Sequence, residues 1–226
     1  MRNWTLHLIE IVRWDGLSGL VGRISERLGW QRYLWLVRPV DLPPPAVAAM
    51  AGVTIREIGP EATAAYVAFR GRTIRAQYEE RLRRGQRCFA AETDGQLVAV
   101  SWLAVEDADI VALGQTLVLA PGDGYVLDSF VDPAWRGRRV RHLLYDHLLA
   151  QARSAGVRRL CCLVAPYNRR IRRSCERSGY RQSAVVTRVG FGRFHLQWWR
   201  GEFRGELLAA SVRGRAGAIG AEAAGD

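Results

Sequence analysis

The segment RCFAAETDGQLVAVSWLAV constrains the fold more than any other stretch of the chain. Two apolar runs, 87–93 and 96–105, flank the dipeptide Asp94-Gly95. A two-residue Asp-Gly loop between such runs fits the primed turn that closes a tight β-hairpin. The two runs are therefore expected as paired antiparallel strands, and the rest of the chain must be arranged around them.

Upstream, VTIREI (53–58) reads as a strand broken at Gly59-Pro60, and a helical pattern covers 61–84. Downstream, IVALGQTLVLA reads as one strand, PGDG (121–124) as a turn and YVLDSFV (125–131) as a further strand. Val140, Leu143, Leu144, Leu148 and Ala152 recur every three or four residues, which predicts a helix over 136–155 ended by Gly156. VRRLCCLVA (157–165) follows as a strand, 168–178 as a short helix stopped at Gly179-Tyr180, and SAVVTRVGFGRFHLQWW as the final strands. After residue 50 the order is β-α-β-β-β-β-α-β-α-β-β, an α/β fold with a mixed sheet and helices on its faces.

Residues 1–45 read as an N-terminal extension, with Leu17, Leu20, Val21, Ile24 and Leu28 on one helical face, then the strand RYLWLVR and the stiff linker PVDLPPP. The expected division is 1–45 extension, 46–203 main domain and 204–226 a flexible tail rich in Ala, Gly and Arg.

Composition narrows the function. The 226 residues include 33 basic and 22 acidic side chains, a net charge of +11, and every basic one is arginine. Such an excess suits a polyanionic partner, an anionic surface or an acidic substrate. No apolar run reaches the ~18–20 residues a membrane span needs, and MRNWTLHLIEIVRWDG does not read as a signal peptide, so a cytoplasmic protein is expected. Cys88, Cys161, Cys162 and Cys175 form no CxxC pair and share no ligand spacing with His7, His142, His147 or His195. Free buried thiols and no metal are expected.

Three stretches carry a resemblance: CFAAETDGQLVAVSWL, YVLDSFVDPAWRGRRVRHLL and NRRIRRSCERSGY. In that order they resemble the GNAT superfamily of N-acyltransferases, over about residues 53–200. The resemblance implies a mostly antiparallel central sheet with splayed strands. A strand N–H there holds the acyl carbonyl, and a loop at a helix N-terminus binds the carrier's pyrophosphate. An amine attacks directly, with no covalent enzyme intermediate. It assigns Asp128, Ser129 and Val131 to the acyl strand, Asp128 either orienting or deprotonating the amine or being salt-bridged. Arg136, Gly137, Arg138, Arg139, Val140, Arg141 and Asn168 fall to the carrier.

The sequence departs from the family in three respects. The loop pattern Arg/Gln-x-x-Gly-x-Gly/Ala has Arg139 and Arg141 in place of its glycines, tolerable at the first only if its backbone φ stays negative. Cys175 stands where the family often has a tyrosine acid, and is either a thiol acid or simply packed. Arginines crowd both helix starts: 136, 138, 139 and 141, then 169, 170, 172, 173 and 177, with Arg158 and Arg159 between. In the family fold the two starts share one rim. Tyr167, Trp135, Trp198 and Trp199 are candidates for stacking on a nucleic acid.

The expected activity is an amide-forming acyltransferase that uses aminoacyl-tRNA and needs no separate cofactor. Its tRNA would lie on Arg138, Arg139, Arg141, Arg169, Arg170, Arg172 and Arg173, and its acceptor would be a small-molecule or peptide amine. The alternatives are an acetyl-CoA or acyl-CoA N-acetyltransferase, and a non-catalytic nucleic-acid-binding module.

Overall fold

The computed structural model describes residues 21–22, 24–43, 50–191 and 194–209. Residues in 1–38 and 161–203 cluster as one compact unit, and those in 39–160 and 204–226 as another. The chain changes unit after residues 38, 160 and 203, the second of these within strand β8 (Arg159–Val164).

The second unit contains the hairpin. β2 (Thr54–Ile58), β3 (Arg87–Thr93), β4 (Gln96–Ala104) and β7 (Asp123–Val131) lie in the order β7-β4-β3-β2, each pair antiparallel. Residues 98–104 of β4 are all buried, so neighbours cover both faces of the strand. Helices α1 (Thr63–Arg70) and α2 (Arg75–Arg83) supply Tyr66 and Tyr78, whose rings stand 6.0 and 5.4 Å from Trp102 of β4. Trp102 Nε1 donates to Tyr66 Oη at 3.0 Å, so the indole donor is satisfied where no water reaches it. Helix α3 (Val140–Ser154) packs on β2, β3, β4 and β7 through its buried Val140, Leu144, Leu148, Leu149 and Ala152.

Three expectations need correction here. The helix expected over 61–84 is two helices, because Gly71 adopts φ +103°, outside what an L side chain accepts readily. The strand expected at IVALGQTLVLA is a hairpin: β5 (Asp107–Ile110) turns through Gly114 into β6 (Gln115–Val118). The tail is ordered further than expected, since β11 (Glu206–Ala209) pairs antiparallel with β6.

In the first unit, β9 (Arg181–Phe191) pairs with β1 (Trp30–Pro39) on one side and β10 (Phe194–Gly201) on the other, both antiparallel. The strand expected at RYLWLVR is thus paired with the last strands of the chain. Residues 24–27 are helical, and Val21, Ile24 and Leu28 are exposed; Leu17 and Leu20 lie outside the described residues. Helix α4 (Arg169–Arg177) is capped by Asn168, whose Oδ1 accepts from Ile171 N at 3.0 Å. No helix among the described residues is long and apolar enough to cross a membrane.

Candidate active site

The ladder between β4 and β7 contains one irregularity. Val100 is opposite Phe130 and Trp102 is opposite Leu127, so Ser101 faces two residues, Asp128 and Ser129. This is a β-bulge, which bends the strand and re-aims its side chains. Asp128 takes φ +45°, a left-handed conformation that an L residue holds only when its surroundings impose it. Two ion pairs do so. Arg70 Nη2 of α1 donates to Oδ1 at 2.7 Å, and Arg81 Nη1 of α2 donates to Oδ2 at 2.5 Å. The three side chains are only 5%, 8% and 7% exposed. The guanidiniums also lie over aromatic faces, Arg70 4.2 Å from the Phe130 centroid and Arg81 5.2 Å from Trp102.

The electrostatics follow from this packing. Burial pushes the Asp128 carboxyl up, but the charges of Arg81 and Arg70 and hydrogen bonds from Arg81 and Tyr66 outweigh it, leaving it below the ordinary aspartate range. Burial also raises the Tyr66 phenol, with the Asp128 charge adding to it, and holds the Cys88 thiol neutral. Of the two openings for Asp128, base or salt-bridged residue, the geometry gives the ion pair: both oxygens are taken by arginines. Next to it, the Ser101 and Ser129 hydroxyls share a hydrogen bond of 2.7 Å.

Beyond the bulge, Asp132 N donates to Val98 O at 2.9 Å. Amide directions alternate along a strand, so the N–H of Val131 points away from β4. The chain then makes a 3-10 turn, Pro133–Trp135, in which Asp132 Oδ1 accepts from Ala134 N. Arg136 Nε donates to Val131 O at 3.3 Å, and Arg138 lies 5.1 Å over Trp135.

Helix α3 begins at Val140, later than the expected 136, because Gly137 and Arg139 both have positive φ, +79° and +64°. The condition of negative φ at Arg139 therefore fails. Arginine occupies the left-handed conformation that a glycine would take there. Among the described residues, no backbone partner is found for the N–H groups of Gly137, Arg139, Val140 and Arg141. They form a run of donors at the N-terminus of a 15-residue helix, where the macrodipole is positive.

The remaining candidates fall elsewhere. Asn168, Cys175 and the arginines of α4 belong to the first unit, the loop and Asp128 to the second. Cys175 is 6% exposed. Arg172 reaches Pro166 O and, at 3.6 Å, Glu176. Arg159 grips Asp123 through two bonds of 2.9 and 2.6 Å, which removes it from any ligand surface. Tyr167 donates to Glu26 at 2.8 Å, and Trp199 stacks on Phe203 at 3.9 Å, whereas Trp198 is 48% exposed. His142 is half-buried, and His147 lies 5.7 Å from Phe89. The cysteines are free, Cys162 half-buried and the other three buried.

Sequence reasoning missed Arg70, Arg81 and Ser101. A signal existed for the arginines: Tyr78 and Arg81 share the buried face of the second helix three residues apart, as Tyr66 and Arg70 do at four residues on the first. A cation on an inward stripe needs a buried anion.

A family model for the acetyltransferase (GNAT) family matches residues 55–180. No curated protein matches. Among solved structures, a protein described as a GNAT-family acetyltransferase from Novosphingobium aromaticivorans superposes with a TM-score of 0.51 at 18% identity, covering 70% of this chain and 62% of that one. A GNAT-family acetyltransferase from Colwellia psychrerythraea gives 0.52 at 14% identity, covering 70% and 55%. A glucosamine N-acetyltransferase region of a fungal β-N-acetylglucosaminidase gives 0.53 at 15%, covering 74% and 22%. At these identities the likeness is one of fold, and this chain spans less than two thirds of the length of each.

Proposed function

The chain belongs to the GNAT family of acetyltransferases, and from that premise we propose that it transfers an acyl group from acyl-coenzyme A, with acetyl-coenzyme A the first candidate, to an amine. The observation that carries this reading is the left-handed Arg139 ahead of α3. The backbone cradle persists in conformation although its glycine is gone. A pyrophosphate fits the unpartnered amides of 137 and 139–141. Arg136, Arg138, Arg139 and Arg141 have no carboxylate partner among the described residues, which suits further phosphate contacts.

Bound there, the coenzyme supplies an activated thioester. The chain's residues do the rest by position. The Val131 N–H is aimed to donate to the acyl oxygen as it gains negative charge. The bulge sets that aim, and Asp128, clamped by Arg70 and Arg81, holds the bulge as a positioning residue rather than a base. The Ser101–Ser129 hydroxyl pair lies beside the bulge, one serine on each strand.

The finer expectation, an aminoacyl-tRNA donor, has weaker support. Its motive was the lost glycines, and the loop keeps its shape without them. Among the described residues, at least nine basic side chains also sit against carboxylates, among them Arg56, Arg84 and Arg87. Calorimetric titration with coenzyme A and acetyl-coenzyme A, beside filter retention of charged tRNA at two salt concentrations, separates the readings. Saturable coenzyme binding that survives Arg139→Gly/Arg141→Gly is the expected result. Retention of tRNA at physiological salt with no coenzyme binding overturns it.

A further inference from the structure

The sheet of the first unit carries charge of one sign only. Its strands β1, β9 and β10 contain Arg32, Arg38, Arg181, Arg188 and Arg200 and not one aspartate or glutamate. A solvated surface ordinarily mixes the two signs.

The strand register shows what this sheet presents. Trp30, Val189 and Leu196 stand opposite one another in one row across the three strands, and Arg32, Thr187 and Trp198 in the next. Leu34, Val185 and Arg200 make the third. Side chains two apart along a strand share a face, so the three rows lie on one side of the sheet, together with Phe194. That side is uncovered at its outer end: Phe194 and Leu196 are each 74% exposed, Trp30 54% and Trp198 48%. Leu34, at the inner end, is buried. Single exposed apolar side chains are ordinary, whereas a contiguous group marks an interaction site. Arg32 and Arg200 stand in these same rows, are exposed, and have no carboxylate partner among the described residues.

We propose that this side of the β1–β9–β10 sheet docks on an anionic lipid bilayer. Trp30, Phe194, Leu196 and Trp198 enter the headgroup layer, and Arg32 and Arg200 meet lipid phosphates. Aromatic and aliphatic side chains flanked by cations are what an interfacial anchor requires. Indole suits that depth, with an apolar body and a polar N–H. Charge disfavours a second copy of the chain, because the arginines would meet their own copies with no acid in the strands between them. A nucleic acid would satisfy the arginines, but Leu196 and Val189 offer no ring on which a base can stack. The proposal is independent of the acyl-transfer reading, whose loop and Asp128 belong to the second unit.

The test sediments the full chain with vesicles of phosphatidylcholine alone, and with vesicles of equal parts phosphatidylcholine and phosphatidylglycerol, at physiological salt. Tryptophan fluorescence is followed with brominated phosphatidylcholine as quencher. Binding to the anionic vesicles with quenching, and little binding to the neutral ones, is the expected result. Leu196→Ser/Trp198→Ser should weaken binding by about tenfold or more. Its Tm should be unchanged, since both side chains are exposed. Arg32→Gln/Arg200→Gln should weaken binding as well. Arg72→Gln/Arg75→Gln removes the same charge from the second unit and should leave binding nearly unchanged, which separates a docking face from general attraction of a basic chain. If Leu196→Ser/Trp198→Ser fails to fold, Leu196→Ala and the two arginine pairs carry the comparison.

No sedimentation, equal sedimentation with both vesicles, equal losses in the two arginine pairs, or full binding by Leu196→Ser/Trp198→Ser overturns the proposal. Light scattering and filter retention of single-stranded RNA run alongside. A dimer that the same variant abolishes, without vesicle binding, overturns it in favour of a second copy; RNA retention lost in that way overturns it in favour of a nucleic acid.

Discussion

Arg139 and Asp128 are each held at positive φ, for different reasons and with different consequences. Nothing compels Arg139 except the geometry of the loop, and its side chain is exposed. An L residue there gives up ~1–2 kcal/mol, so Arg139→Gly is expected to stabilise the protein by about 0.5–1 kcal/mol after the entropy of glycine is subtracted. Urea unfolding midpoints would measure this. A lower midpoint would show that the arginine side chain makes a contribution the geometry does not reveal. Asp128 is held by ion pairs. Asp128→Ala leaves two guanidiniums buried together and should destabilise by about 3–5 kcal/mol. The pH dependence has a definite sign. Asp128 titrates below its unfolded value of about 3.9, so its contribution is complete above that pH and is withdrawn as pH falls through the folded value. An acid-unfolding profile of Asp128→Asn should lose that component. An unchanged profile would show that the clamp does not couple to folding.

Elements show how local signals succeed and where they stop. The 87–104 hairpin, the final β9–β10 pair and the helix stop near Gly156 were legible because each depends on neighbours in sequence. The break at Gly71 was not, because a single glycine inside a helical pattern is usually tolerated and nothing local distinguishes this one. At φ +103°, Gly71→Ala should destabilise by about 1 kcal/mol even though the space beside it is open; full tolerance in a thermal melt would argue against the strain. Strand β11 was hidden in an Ala- and Gly-rich tail of low apolar periodicity. Its order comes from pairing with β6, and removing residues 206–226 should deprotect the amides of Gln115–Val118 in hydrogen exchange. Unchanged protection would mean the pairing adds nothing to the ladder.

At the scale of the molecule, the charge of +11 is a property of the sequence that folding redistributes without changing. Polyanion binding by such a surface should fall steeply between 50 and 200 mM salt. Coenzyme affinity, supported by backbone donors as well as charge, should fall less. Parallel loss of both would place the coenzyme on side-chain charge alone. The sequence by itself determined the α/β class and the family, because turn sterics and helical and strand periods are read over a few residues. Only the tertiary structure decided that Asp128 is clamped, since its partners are 58 and 47 residues away. Likewise only the fold joined Trp30–Val37 to Arg181–Val189. Such contacts close long loops whose entropy grows slowly with length, so no spacing in the chain announces which of the many possible closures burial will select.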